Sequence, residues 1–163
     1  LIIQIAEPQI VKWLTEQAIN AGKDIGKDMS NYRVMVAAPA YTGPTNKNLE
    51  KVKWFPAMVG NHVADIVEKY GKDTDEVPKS LTAYIEKRRG YDYSKHGQSD
   101  NPYLDFITDD VVESFCVLGE PEAHVEKLKV LENNGATQFN IYLDNGDEEK
   151  IIADYGEKII PHF

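Results

Sequence analysis

Three segments of this chain read as β-strands buried on both faces, and that property restricts what it can fold into. Leu1 to Ala6 is apolar except for Gln4; Tyr32 to Ala40 carries the run Val34-Met35-Val36-Ala37-Ala38; Gln138 to Leu143 is the third. Strands covered on both sides belong to parallel sheets with helices packed on each face. Glu7 precedes Pro8, a pairing that ends the first strand. Pro8 suits the opening turn of a helix. Ile10, Leu14, Ala18 and Ala21 follow at helical spacing, with Gly22 as the expected stop.

Between Tyr41 and Pro121 no strand is expected, and several helices are. Leu49, Val52 and Phe55 make a short one ending at Pro56. Val59, Val63, Ile66, Val67 and Tyr70 make another, closed by Gly71. Pro78 opens a third that ends at Gly90, and Tyr91 to Asp105 reads as a surface excursion. Asp109 to Phe115 is one more helix. Then Pro121 starts a helix with Val125, Leu128 and Leu131 on one face and Gly135 as its stop. A final helix spans Asp147 to Pro161, with Ile151, Ile152, Tyr155 and Ile159 facing inward. Strands alternating with helices imply a parallel α/β sheet with right-handed crossovers.

Three such strands leave two bare edges. The pattern therefore predicts a piece of a larger sheet or barrel, with neighbours or a homo-oligomer covering those edges. The opening without Met, inside a strand, is read the same way. The net charge of −9 argues against a nucleic-acid or anionic-membrane partner. No stretch approaches the about 18 apolar residues of a membrane helix, so a cytoplasmic location is expected. The single cysteine, Cys116, lies in the run Phe115-Cys116-Val117-Leu118 and is expected to be a small buried hydrophobe. No metal-ligand spacing links His62, His96, His124 and His162, and no glycine-rich phosphate loop occurs.

Val117-Leu118-Gly119-Glu120-Pro121-Glu122, then Asn134-Gly135-Ala136 and Phe139-Asn140-Ile141-Tyr142-Leu143, resemble the end of luciferase-like monooxygenases. The closing run Tyr155 to Pro161 fits the same pattern. Val36-Ala37-Ala38-Pro39-Ala40-Tyr41 and Trp54-Phe55-Pro56-Ala57-Met58-Val59-Gly60-Asn61-His62 resemble a subgroup that uses the deazaflavin coenzyme F-420. The resemblance implies a (β/α)8 TIM barrel about twice this length, of which this chain is the C-terminal half. The three strands would be the sixth, seventh and eighth. Residues 42–118 would be a helical insertion forming a lid or substrate wall over the face where barrel active sites lie.

The implied chemistry is hydride transfer to or from a small-molecule substrate through a flavin or deazaflavin ring, with the protein holding the ring and excluding water. Strand ends nominate Gln4, Glu7 and Tyr41 for cofactor binding; Gln4 is expected to be a buried amide in need of partners. For Glu7 the competing reading is a carboxylate at a helix N-terminus. Trp54, His62 and Asp65 are expected at the substrate pocket, with His62 near a helix start; Tyr91, Tyr93 and His96 are further candidates. Gly119 and Pro121 open a helix whose amides could bind an anion or simply start the helix. No metal is expected. The residues that grip the cofactor in the family come largely from earlier strands, so the chain alone is expected to be inactive. Two alternatives stay open: an FMN-dependent monooxygenase of the same superfamily, and a non-catalytic small α/β module for binding or oligomerisation.

Overall fold

A computed structural model of the chain describes residues 1–70, 107–143 and 146–163. The expected helix from Pro78, the excursion from Tyr91 to Asp105, and Tyr91, Tyr93 and His96 lie outside the described residues. Within them, four parallel strands form one sheet: β1 (Ile2–Ile3), β2 (Met35–Thr42), β3 (Val117–Gly119) and β4 (Gln138–Tyr142). Helix α1 (Pro8–Asp24) joins β1 to β2. Helices α2 (Thr45–Val52), α3 (Trp54–Tyr70) and α4 (Asp109–Phe115) lie between β2 and β3. Helix α5 (Pro121–Asn133) joins β3 to β4, and α6 (Glu148–Asp154) follows β4.

Every other strand pairs with β2. Ile2 and Ile3 align with Met35 and Val36, Gln138–Tyr142 aligns with Met35–Pro39, and Val117–Gly119 aligns with Ala40–Thr42. Since β1 and β4 both pair across Met35 and Val36, they flank β2 on opposite sides. The amide of Met35 donates to the Leu1 carbonyl at 2.9 Å and that of Gly43 to the Gly119 carbonyl at 2.9 Å. An even spacing along a strand points amides to the same side, so β1 and β3 lie in tandem along one edge of β2. The Ala6 amide donates to the Phe115 carbonyl at the junction, at 2.9 Å. Pro39 falls on that same side, in the gap between the two partners, where its missing N–H costs no ladder bond.

The fourth strand corrects the expectation of three. Val117–Gly119 is too short to show periodicity, and it lies at the end of the stretch between Tyr41 and Pro121 where no strand is expected. It also explains why β2 runs to Thr42 instead of stopping at Ala40. Burial on both faces holds only for β2. On β1 and β4 it alternates or is partial, because each flanks the sheet: Ile2 and Gln4 are exposed while Ile3 and Ile5 are buried. Among the described residues neither β1 nor β4 has a strand on its far side.

Local chemistry sets the helix ends. The Glu7 carboxylate accepts from the Ile10 amide at 2.7 Å, and Pro8 occupies the first turn. A cap of this kind is worth about 0.5–2 kcal/mol. Gly22 is not the stop; α1 continues to Asp24, and Gly22 is instead the point where Met29 packs closely, its Sδ only 2.3 Å from where a Cβ would stand. Pro56 does not end a helix either. It sits in the first turn of α3, where its missing N–H has no intrahelical acceptor to lose. Gly135, at φ +101°, closes α5 as expected, with the Ala136 amide returning to the Leu131 carbonyl at 3.0 Å.

The core is Ile3, Ile5, Ile10, Val11, Val36, Ala38, Phe55, Val112, Phe115, Leu131 and their neighbours, and it includes Cys116 as a buried free thiol. The last helix places Ile151, Tyr155 and Ile159 inward, but Ile152 is 60% exposed. That residue lies one position beyond the i, i+4, i+8 stripe. The helix also widens into a π-helical turn at Tyr155–Ile159 and tightens to a 3-10 turn at Ile160–His162. No described helix is long and apolar enough to cross a membrane.

Candidate functional site at the strand ends

The C-terminal ends of β2, β3 and β4 meet around Thr42, Gly119 and Tyr142. Thr42 is buried, and its hydroxyl donates to the Asp154 carboxylate at 2.5 Å. Lys150 and Lys158 reach the same carboxylate from one turn on either side, each at 2.6 Å. Lys150 also donates to the Thr42 hydroxyl oxygen at 2.6 Å. The two lysines and Thr42 together hold the Asp154 carboxyl well below the usual carboxylate range. Beside this cluster Lys51 pairs with Asp147. The lysines here therefore already have carboxylate partners.

A second buried group stands behind it. His124, in the first turn of α5, is fully buried. Its Nε2 lies 3.1 Å from the Tyr41 carbonyl and its Nδ1 lies 3.0 Å from the Tyr155 hydroxyl. A carbonyl can only accept, so Nε2 carries the proton and Nδ1 accepts from Tyr155. Burial pushes the imidazole pKa down and the Tyr155 hydroxyl up. Both groups are neutral near pH 7.

Lys127, also on α5, closes the end of α4. Its ammonium donates to the carbonyls of Glu113 at 2.6 Å, Ser114 at 3.0 Å and Cys116. Three protons meet three acceptors at a helix C-terminus, where a cation is favoured. Burial lowers the Lys127 pKa to about 8 and raises the pKa of the neighbouring Cys116 thiol.

The residues nominated from sequence are distributed as follows. Gln4 is exposed rather than buried, at the bend just past the end of β1; its Nε2 donates to the Tyr142 hydroxyl at 2.8 Å. Tyr142 in turn packs against Phe55, ring centroids 5.6 Å apart, and Phe55 meets Trp54 edge-on at 5.7 Å. His62 is exposed and lies inside α3, not near its start, since α3 begins at Trp54. Gln4 and His62 nevertheless line one hollow of about 320 Å³, with Ile2, Ile3, Ile5, Leu14, Val59 and Ile66. Asp65 is exposed further along α3 and does not line that hollow.

Glu7 is buried as the cap of α1, and burial raises its pKa. Tyr41 is buried, with Lys51 over its ring at 5.4 Å. Gly119 has φ +127° and turns the chain from β3 into α5. The sequence reading missed Thr42, His124, Lys127, Tyr142 and Asp154. Of these, only Asp154 carried a visible signal, its spacing of four from Lys150 and Lys158. Among the described residues no group of three or more His, Cys, Asp or Glu is placed to hold a metal ion.

Residues 1–138 match the family described as luciferase-like monooxygenase. A curated relative, 5,10-methylenetetrahydromethanopterin reductase of Methanopyrus kandleri, is 28% identical over 121 residues, covering 72% of this chain and 31% of the relative. The solved structure of the coenzyme F420 dependent tetrahydromethanopterin reductase from Methanopyrus kandleri superposes with a TM-score of 0.66 at 21% identity. That superposition covers 99% of this chain and 44% of the reductase. The chain thus spans less than half the length of either.

Proposed function

This chain belongs to the luciferase-like monooxygenase family, and from that membership we propose that it forms part of an oxidoreductase dependent on the deazaflavin coenzyme F-420. The observation that carries the choice of deazaflavin over FMN is the 28% identity to a reductase whose solved counterpart is coenzyme F420 dependent. In this reading the four strands are one side of a (β/α)8 barrel. The unpartnered far sides of β1 and β4 take further strands of the same protein, and the strand ends face the cofactor.

Because β3 lies in tandem with β1 along one edge of β2 and β4 lies along the other, β1, β2 and β4 take the places of the sixth, seventh and eighth strands, and β3 is an extra short strand at the site end. Helices α2 and α3 then lie over the strand ends, through Lys51 on Tyr41 and Phe55 on Tyr142, as the wall of the site.

The bound ring supplies hydride transfer; the protein supplies position and dryness. Gln4 and Tyr142 offer a polar pair beside aromatic and aliphatic side chains, which suits the edge of a flat heterocycle. Residues Trp54 and His62 line the substrate side, and Asp65 stands at its outer margin. Glu7 and Tyr41 act by fixing backbone, at the start of α1 and the end of β2, rather than by touching the cofactor. Lys51, Lys150 and Lys158 are held by Asp147 and Asp154, so in this reading the anionic part of the coenzyme is gripped by residues other than these three.

The test is anaerobic turnover by the full-length protein with reduced coenzyme F-420. The first acceptor to try is 5,10-methylenetetrahydromethanopterin, with reduced FMN and oxygen as a separate aerobic control. Regain of deazaflavin absorbance supports the reading, and turnover that needs reduced FMN and oxygen and not coenzyme F-420 contradicts it.

A further inference from the structure

We propose that His124 is a positioning residue for the strand-end site, holding the Tyr41 carbonyl and tying the end of β2 to the C-terminal helix through Tyr155. The inference rests on the reading that cofactor and substrate meet at the strand ends. It goes further by naming what keeps the central strand in place there.

The geometry is specific. β3 leaves the sheet at Gly119, whose φ of +127° turns the chain into α5. At that point His124 supplies a side-chain donor to the Tyr41 carbonyl at 3.1 Å. Its other nitrogen accepts from the Tyr155 hydroxyl at 3.0 Å, with the two rings edge-to-face at 5.6 Å. Tyr155 follows Asp154 directly, and Asp154 accepts from Thr42, the residue after Tyr41. Two consecutive residues of β2 are therefore bonded to two consecutive residues of the C-terminal helix, one pair directly and one through the imidazole.

A hydrophobic side chain of similar size would fill the space but leave the Tyr41 carbonyl without this donor and the Tyr155 hydroxyl without this acceptor. The charged groups facing the imidazole are Lys127 on its own helix and Asp154 on the C-terminal one. Both are engaged, Lys127 by three carbonyls and Asp154 by two lysines and Thr42. The ring stays a neutral donor–acceptor bridge, which suits a positioning role and not proton transfer.

The experiment compares His124→Phe, His124→Gln and Tyr155→Phe in the full-length protein. It reads melting temperature, affinity for coenzyme F-420 and the carbon-13 shift of the Tyr41 carbonyl. Tyr155→Phe is expected to move the carbonyl resonance, and His124→Phe to move it further. His124→Phe is expected to weaken coenzyme binding about tenfold, while His124→Gln, which keeps a donor, returns to within about threefold although both melt earlier. Affinities of the two His124 variants falling together with their melting temperatures would show a merely structural role and overturn the proposal. So would a Tyr41 carbonyl that does not move in Tyr155→Phe. If the unsubstituted protein binds no coenzyme F-420, the functional reading fails, and the carbonyl shifts alone decide whether His124 couples the two elements.

Discussion

The Thr42 hydroxyl and the Asp154 carboxylate, 112 residues apart in sequence, share a 2.5 Å hydrogen bond that joins the central strand to the last helix. Lys150 and Lys158 complete the coordination of that carboxylate. Replacing Asp154 by Asn should therefore cost about 1–3 kcal/mol at neutral pH, as measured by chemical denaturation.

The pH dependence of that loss has a definite sign. The Asp154 carboxyl titrates below its ordinary value of 3.8 in the folded chain, so the unfolded chain takes up the proton first on acidification. Its contribution is fully present above the ordinary value and declines as pH falls below it. The stability gap between the wild-type chain and Asp154→Asn should narrow only under pH 3.8. A gap that stays constant into that acid range would mean the lysine pairs contribute nothing.

Gly135 gives a backbone prediction. Its φ is +101°, and a Cβ there would stand 2.8 Å from Cγ2 of Thr15, a buried β-branched residue. Gly135→Ala should destabilise by about 1–3 kcal/mol. Adding Thr15→Ser, which removes the clashing methyl, should recover part of that loss in a double-mutant cycle. Strict additivity of the two substitutions would show that the clash is not what matters.

Lys127→Met keeps much of the side-chain volume but leaves the carbonyls of Glu113, Ser114 and Cys116 without their donor. The expected cost is about 1–3 kcal/mol in chemical denaturation. Amide exchange should quicken first in α4, the helix whose end Lys127 closes. Uniform acceleration across α1 and α5 would argue instead for a general loosening.

At the proposed site, Gln4→Leu and Tyr142→Phe should each raise KM for coenzyme F-420, with kcat changed less. Because the two side chains share one hydrogen bond, their effects should be non-additive by about 0.5–3 kcal/mol. Independent effects would separate Gln4 from Tyr142 functionally.

Much of the fold was readable from punctuation and periodicity. Pro8, Pro121 and Gly135 mark helix ends because each removes or requires a specific backbone conformation, and β2 shows itself as an unbroken apolar run. What escaped was set by tertiary pairing. Val117–Gly119 is a strand only because Ala40–Thr42 lies beside it, and three residues carry no period of their own. Pro56 reads equally as the end of one helix or the start of the next. Gln4 breaks an apolar run, yet whether it is buried depends on what covers that face of β1. At the site, Lys150, Asp154 and Lys158 announce their pairing by spacing. His124 gives no such sign, since its partners, Tyr41 and Tyr155, come from other elements.

The most direct test of the account is a fluorescence titration with coenzyme F-420 of residues 1–163, alone and within a longer polypeptide that carries the further strands of the proposed barrel. If these strands are one side of a barrel whose cofactor grip lies mostly elsewhere, the longer polypeptide binds saturably and residues 1–163 alone do not. Equal, tight binding by residues 1–163 alone would contradict that account, and so would no binding by the longer polypeptide.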